Sequence, residues 1–183
     1  MAGDVEIVFE THSTTEDNEA GLATGWLPGR LSAAGRENAR AVGERRRDDG
    51  LAAVFTSDLG RALETVGIAF AGSTVPVLHD WRLRECDYGS RNGAPRSEVH
   101  DVRWDYLDAP YPGGESWREA VARVGRFLDD LPTRWAGERV LVVGHGATRW
   151  AFDHFLDGRS LEELLDDDDF AWQEGWEYRL TAG

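Results

Sequence analysis

Four short apolar runs stand out from an otherwise polar chain, and longer amphipathic stretches separate them. The segments from Val5 to Thr11, Ala52 to Thr56, Val75 to Leu78 and Val140 to Val143 read as strands, since continuous apolar runs of this length suit a sheet buried on both faces. Between them apolar residues recur at helical spacing. Ala39 and Val42 predict a helix capped by Ser32 and running to about Asp49, before Gly50. Ala62, Val66 and Ala69 predict a second, from Leu59 to about Phe70. Ala120, Val124, Phe127, Leu128 and Leu131 predict a third, from Trp117 to Trp135. A fourth runs from Ala147 to Leu156, and a short one from Leu161 to Leu165 follows Ser160. Strands alternating with helices predict an α/β fold. Without an internal repeat, linker or low-complexity segment, residues 1–183 read as a single domain.

Three stretches lack either period. Ser13 to Arg30 reads as a long polar loop, and such loops tend to be functional. Ser90 to Pro112, with Trp104, Tyr106 and Tyr111, reads as a lid-like excursion. Phe170 to Gln173 and Trp176 to Leu180 flank Glu174-Gly175 and predict a closing β-hairpin. Its Trp172 and Trp176 would cover the core or form a homodimer contact.

Charge narrows the partners. The chain has 34 carboxylates against 20 basic residues, a net charge of −14, which argues against nucleic acid or an anionic membrane surface. An anion site would have to be built from local donors. The single cysteine, Cys86, excludes an internal disulfide and a cysteine-based zinc site. Asp166-Asp167-Asp168-Asp169 lacks the spacing of a calcium loop and reads as a solvated loop, so no metal is expected. No apolar run is long enough to cross a bilayer, and the N-terminus shows no signal-peptide pattern, so a cytoplasmic location is expected.

Candidate chemistry collects at the carboxyl ends of the predicted strands, where open α/β sheets build their sites. His12 follows the first strand and His145 the fourth, and two histidines so placed are hard to explain as packing. Arg61 lies in the first turn of its helix, where a cation opposes the helix dipole and hints at a bound anion. Glu85 and Asp87 are candidate acids in a charged stretch without a period. Glu10 is either a rim carboxylate or functional. His12, Arg61, Glu85 and His145 together suit phosphoryl transfer. A neutral imidazole is a nucleophile, a guanidinium and a second imidazole stabilise the transferring oxygens, and a carboxyl group moves the proton. That chemistry needs no cofactor.

Six segments, in order, resemble the histidine phosphatase superfamily, in its phosphoglycerate-mutase-like branch. Thr11-His12-Ser13-Thr14-Thr15-Glu16-Asp17-Asn18 occupies the place of the family's Arg-His-Gly-Glu-Thr signature and its following asparagine. Leu31 to Ala39 resembles the Leu/Thr-x-x-Gly motif, and Ser57-Asp58-Leu59-Gly60-Arg61-Ala62-Leu63-Glu64-Thr65 the Ser-x-Leu-x-Arg-Ala-x-x-Thr motif. Leu83-Arg84-Glu85-Cys86-Asp87-Tyr88-Gly89, Gly114-Glu115-Ser116 and Val143-Gly144-His145-Gly146 complete the set. The resemblance implies a three-layer α/β/α fold with a mostly parallel central sheet, phosphoglycerate-mutase-like. It implies that His12 is the phosphorylated nucleophile, that Arg61 and His145 bind the phosphoryl group, and that Glu85 is the proton donor. Asn18 and the turn at Ser13 and Thr14 would line the pocket of a small phosphorylated metabolite.

The chain departs from the motif at Thr11, Ser13 and Thr14, where the family has arginine, glycine and glutamate. Arg82, Arg84, Arg91, Arg96 and Arg149 are candidates to replace the arginine, Arg149 foremost because it follows His145 by one helical turn. Thr11 and Ser13 could also donate hydroxyl hydrogen bonds. Three functions compete: a metal-independent phosphomonoesterase, a binding or regulatory protein on that scaffold, and an enzyme of changed reaction. For the last, Trp81, Trp104, Tyr106 and Tyr111 would suit a flatter, less charged substrate. The stretch between Glu85 and Gly114 is short for the substrate-enclosing insertion of the family's mutases.

Overall fold

The computed structural model describes residues 3–167 and 173–181. In chain order its elements are β1 (Val5–Thr11), α1 (Glu16–Glu19), β2 (Leu22–Ala23), α2 (Ala33–Arg46), β3 (Ala53–Thr56), α3 (Gly60–Ala69) and β4 (Val77–His79). Then come β5 (Ala94–Pro95), α4 (Arg96–Asp101), α5 (Trp117–Asp130), α6 (Pro132–Trp135), β6 (Arg139–Gly144), α7 (Gly146–Phe155), α8 (Leu161–Asp166) and β7 (Trp176–Leu180). The main sheet has the order β4-β3-β6-β1-β7. Every neighbouring pair is parallel except β1–β7. The sheet is therefore mostly parallel and lies between two helical layers, as expected.

Alternation along the strands sorts the layers. Ile7, Phe9, Val140 and Val142 face the core made with α5, α7 and α8, whereas Val8, Leu141 and Val143 face Val42 of α2 and Val66 of α3. Phe55 meets Phe127 of α5 edge to face at 5.3 Å. His12 follows β1 and His145 follows β6. These strands are neighbours, with Thr11 opposite Gly144, so their register brings the two histidines together.

Several elements depart from the sequence reading. The Ser13–Arg30 loop holds α1, because Thr15 caps it and Asn18 returns the bond in a capping box. It also holds β2, which pairs with β5. The Ser90–Pro112 excursion is partly ordered by α4 and a turn of 3-10 helix at Arg103–Tyr106. The helix from Trp117 breaks at Leu131, ahead of Pro132, which lacks the amide proton that continuation needs. Residues 176–180 pair with β1; the other arm of the expected hairpin, Phe170 to Trp172, lies outside the described residues, as do Asp168 and Asp169. Asp167 pairs with Arg159 at 2.8 Å. Glu10 is no solvated rim carboxylate. It is buried, accepts two bonds from Arg45 (2.9 and 2.8 Å) and accepts a third from Arg46 (2.8 Å).

The start of α2 is pressed against the loop that follows His12. Ser32 Oγ accepts from Gly35 N, and Ser32 N donates to Thr14 O. A Cβ at Gly35 would overlap the Thr14 carbonyl. Gly35→Ala is therefore expected to cost about 1–3 kcal/mol by overpacking, despite alanine's better helix propensity. Chemical denaturation checks this; a stabilised variant would contradict it.

Candidate active site

Four side chains from four segments converge at the carboxyl ends of β1, β3 and β6. Arg61 is the centre. It lies in the first turn of α3, only 2 % exposed. Its Nε donates to His12 Nε2 at 3.2 Å, and its Nη2 donates to His145 Nδ1 at 3.2 Å. The Leu27 and Gly25 carbonyls accept from Nη1 and Nη2, each at 2.9 Å. Gly25 takes a positive φ of 54°, and a Cβ there would strike Asn92.

A guanidinium only donates, so both tautomers follow from the contacts. His12 Nδ1 lies 2.9 Å from the Ser13 carbonyl, which only accepts, so Nδ1 carries the proton and Nε2 presents its lone pair. His145 Nδ1 accepts from Arg61, so its Nε2 donates to Ser57 Oγ at 2.6 Å. The rings stand 5.0 Å apart. Desolvation, then the Arg61 charge, lowers the His12 pKa from 6.5 to about 3. The same causes, in the same order, hold His145 well below the usual imidazole range. Desolvation also lowers the Arg61 pKa.

Glu85 closes the far side. Its carboxylate accepts from Gly146 N (3.1 Å) and Ala147 N (3.0 Å) at the start of α7, and from Cys86 N (2.9 Å). This is the favoured place for a negative charge on a helix. The Glu85 carbonyl is fixed in turn by Trp26 Nε1 (2.7 Å) and Arg123 Nη2 (3.1 Å). Arg123 is 1 % exposed and is paired with Glu115 through two contacts of 2.8 Å. The contrast is informative. Among the described residues, Arg61 has no carboxylate within ion-pair distance, whereas Arg123 has one. A buried cation without its own anion is expensive to keep.

The site opens into a cavity of about 660 Å³ lined by His12, Arg61, Glu85 and His145. Thr11, Ser13, Thr14, Asn18 and Arg149 line it too. Asn18 and Thr14 also serve the fold: Asn18 Oδ1 takes Thr15 N, and Thr14 Oγ1 takes Asn38 Nδ2. Ser13 N donates to Thr65 Oγ1 at 3.0 Å, fixing the turn after the histidine to α3. Of the arginines considered for the place left by Thr11, Arg96 and Arg149 reach the cavity. Arg82 is committed to Asp80 and Asp130, and Arg84 to Asp58; these two and Arg91 lie outside it. Asp87 lies outside it and accepts from Gly89 N and Asn92 Nδ2. Trp81 and Trp104 are 49 % and 42 % exposed, and Tyr106 stacks on buried Tyr111. None of these four aromatics lines the cavity, which corrects the expected aromatic lid. Sequence reading missed Ser57, Thr65, Trp26 and Arg123; Ser57 and Thr65 stood in plain view inside the Arg61 motif. Among the described residues no cluster of histidine, cysteine or carboxylate side chains could hold a metal, and no helix is long and apolar enough to span a membrane.

Residues 7–167 match the family model of the histidine phosphatase superfamily, branch 1. The chain belongs to that superfamily. It is 35% identical over 174 residues to a 2,3-bisphosphoglycerate-dependent phosphoglycerate mutase of Methylobacterium sp. (strain 4-46), covering 86% of this chain and 83% of the relative. It is 34% identical over 175 residues to the mutase of the same name from Rhizobium meliloti, covering 87% and 82%. Among solved structures, Bacillus stearothermophilus YhfR superposes with a TM-score of 0.81 at 27% identity, covering 93% of this chain and 88% of that one. Mycobacterial glucosyl-3-phosphoglycerate phosphatase does so at 0.74 and 26%, covering 88% and 86%. Membership and fold thus agree with the motif reading, and the neighbours include both mutases and a phosphatase.

The two unprotonated imidazoles give a test. On unfolding, each histidine regains its ordinary pKa of 6.5. The unfolded chain then binds more protons below that value, so stability falls as pH falls from about 7 to about 5, a window mostly above carboxylate titration. Replacing His12 or His145 with glutamine is expected to flatten the fall in thermal midpoint. An unchanged slope in both variants would refute the assigned protonation states.

Proposed function

We propose that the protein is a metal-independent phosphomonoesterase that works through a phosphohistidine on His12. The observation that carries this reading is the buried Arg61, held between two unprotonated imidazoles with no carboxylate at ion-pair distance among the described residues. A phosphoryl group is the anion that would complete it. In this reading His12 Nε2 attacks phosphorus, and the bond from phosphorus to the ester oxygen breaks. The proton of the phosphomonoester monoanion passes through the Glu85 carboxylate to the leaving oxygen. Glu85 then takes a proton from water as that water attacks the phosphohistidine. Inorganic phosphate leaves and Nε2 regains its lone pair. Arg61 and His145 hold the phosphoryl oxygens, with Asn18, Ser13 and Thr14 at the pocket wall. The low His12 pKa supports an imidazole that stays nucleophilic on the acid side of neutrality.

Arg149 takes the role of the motif arginine absent at Thr11. Positions 9 and 11 of β1 share a face. On that face Phe9 touches Phe152 of α7 and Trp176 of β7, both at 5.7 Å between centroids. Arg149 lies one turn before Phe152, across Trp176 at 4.5 Å and 3.5 Å from Asp153. It therefore reaches the cavity from the side on which an arginine at position 11 would project.

Purified protein is expected to hydrolyse an aryl phosphate in the presence of a chelator, and His12→Ala to abolish turnover. Full hydrolysis by His12→Ala would refute the nucleophile. Arg149→Met is expected to lower kcat/KM about 10²–10³-fold, and Thr11→Arg in that background to restore part of it. Unchanged kinetics in Arg149→Met would remove Arg149 from the mechanism.

Two other readings have specific support. Thr11, Ser13 and Thr14 favour a protein that binds phosphoesters without turning them over; an inert wild type that gains activity as Thr11→Arg is its signature. The names of the relatives favour a mutase. Incubation with phosphoglycerate separates the two reactions, since hydrolysis yields inorganic phosphate and a mutase yields the positional isomer.

A further inference from the structure

We infer that the substrate is a phosphomonoester whose alcohol carries an apolar ring, and that Tyr88, Trp117 and Trp150 bind that ring. The inference rests on the phosphatase reading and narrows it to a substrate class. Glu85 sets the direction. The group that protonates the leaving oxygen faces the alcohol, so the alcohol lies on the Glu85 side of the phosphoryl pocket. Glu85 is docked on the start of α7, and the cavity wall beyond it is aromatic. Tyr88 follows Glu85 by three residues and packs on Trp117 at 5.8 Å. Trp117 lies 4.4 Å from Trp150, which stands on α7 itself. All three line the cavity, as do the apolar Val99, Leu164 and Leu165.

Size and charge agree. The cavity of about 660 Å³ falls in the range of pockets that take drug-sized ligands, about 300–1,000 Å³. Of the cations at this end, one is in an ion pair and another is on a carbonyl. Arg159 pairs with Asp167, and Arg103 Nε holds the Leu165 carbonyl. Arg96 is exposed at the rim. The wall thus offers a ring-binding surface where a short acid would need paired cations.

Isothermal titration with two non-hydrolysable phosphonates tests this without requiring turnover. Naphthylmethylphosphonate carries the ring, and phosphonoacetate carries a short second acid. Wild type is expected to bind the naphthyl compound about tenfold more tightly. Trp150→Ala is expected to erase that advantage while leaving phosphonoacetate within about twofold, and Trp150→Phe to recover most of it. Trp104→Ala, outside the cavity, is expected to change neither. Phosphonoacetate binding as tightly as the naphthyl compound in wild type would overturn the inference. Equal weakening of both ligands in Trp150→Ala would also overturn it, by making Trp150 merely structural. Should that variant fail to fold by circular dichroism, the wild-type comparison and Trp150→Phe decide. Naphthyl phosphate that is bound with the predicted preference but never hydrolysed would overturn the phosphatase reading while leaving the ring site standing.

Discussion

A buried positive charge with no carboxylate at ion-pair distance among the described residues is the constraint around which this molecule is arranged. Arg61 is as buried as the ion-paired Arg123, yet its donors go to two imidazoles and two carbonyls. Three separate pieces of the fold supply those four acceptors. β1 brings His12, β6 brings His145, and the loop ahead of α2 brings Gly25 and Leu27. Both rings must stay unprotonated to accept from a guanidinium, and their desolvation keeps them so. The guanidinium charge is thus held by neutral acceptors.

The carboxylate side is built on the opposite logic. Glu85 sits where a helix N-terminus supplies donors, and its backbone is clamped by Trp26 and Arg123. Arg123 is itself satisfied by Glu115 and by the Arg82 and Arg84 carbonyls. The Arg123 charge is neutralised by Glu115, so position rather than field is what Arg123 provides to Glu85. One side of the cavity holds a buried guanidinium and the other a carboxylate fixed by backbone donors, a division that suits the proposed transfer of an anion with movement of one proton.

Much of this was legible in the residues. The strand runs, the caps at Ser32 and Ser160, and the histidines at two strand ends depend on local pattern, and β1 and β6 emerged close to their expected bounds. The quartet of His12, Arg61, Glu85 and His145 was legible because each member lies inside an ordered motif. What was not legible depends on partners distant in sequence. Glu10 looked like a rim residue until α2 supplied Arg45 and Arg46. Trp104 and Tyr111 looked like a lid, but one is exposed and the other buried in a stack. Trp117 and Trp150, which do face the cavity, looked like helix positions with nothing to distinguish them. The choice of Arg96 and Arg149 over Arg82 and Arg84 needed the cavity that only the folded chain reveals.

The most direct measurement is the binding of inorganic phosphate to wild type and to Arg61→Met, by calorimetry, with circular dichroism to confirm folding. The account predicts one phosphate per chain in wild type and a loss of about 10²-fold or more in the folded variant, because the charge that lacks a partner is the charge that binds. Unchanged phosphate affinity in folded Arg61→Met would contradict it.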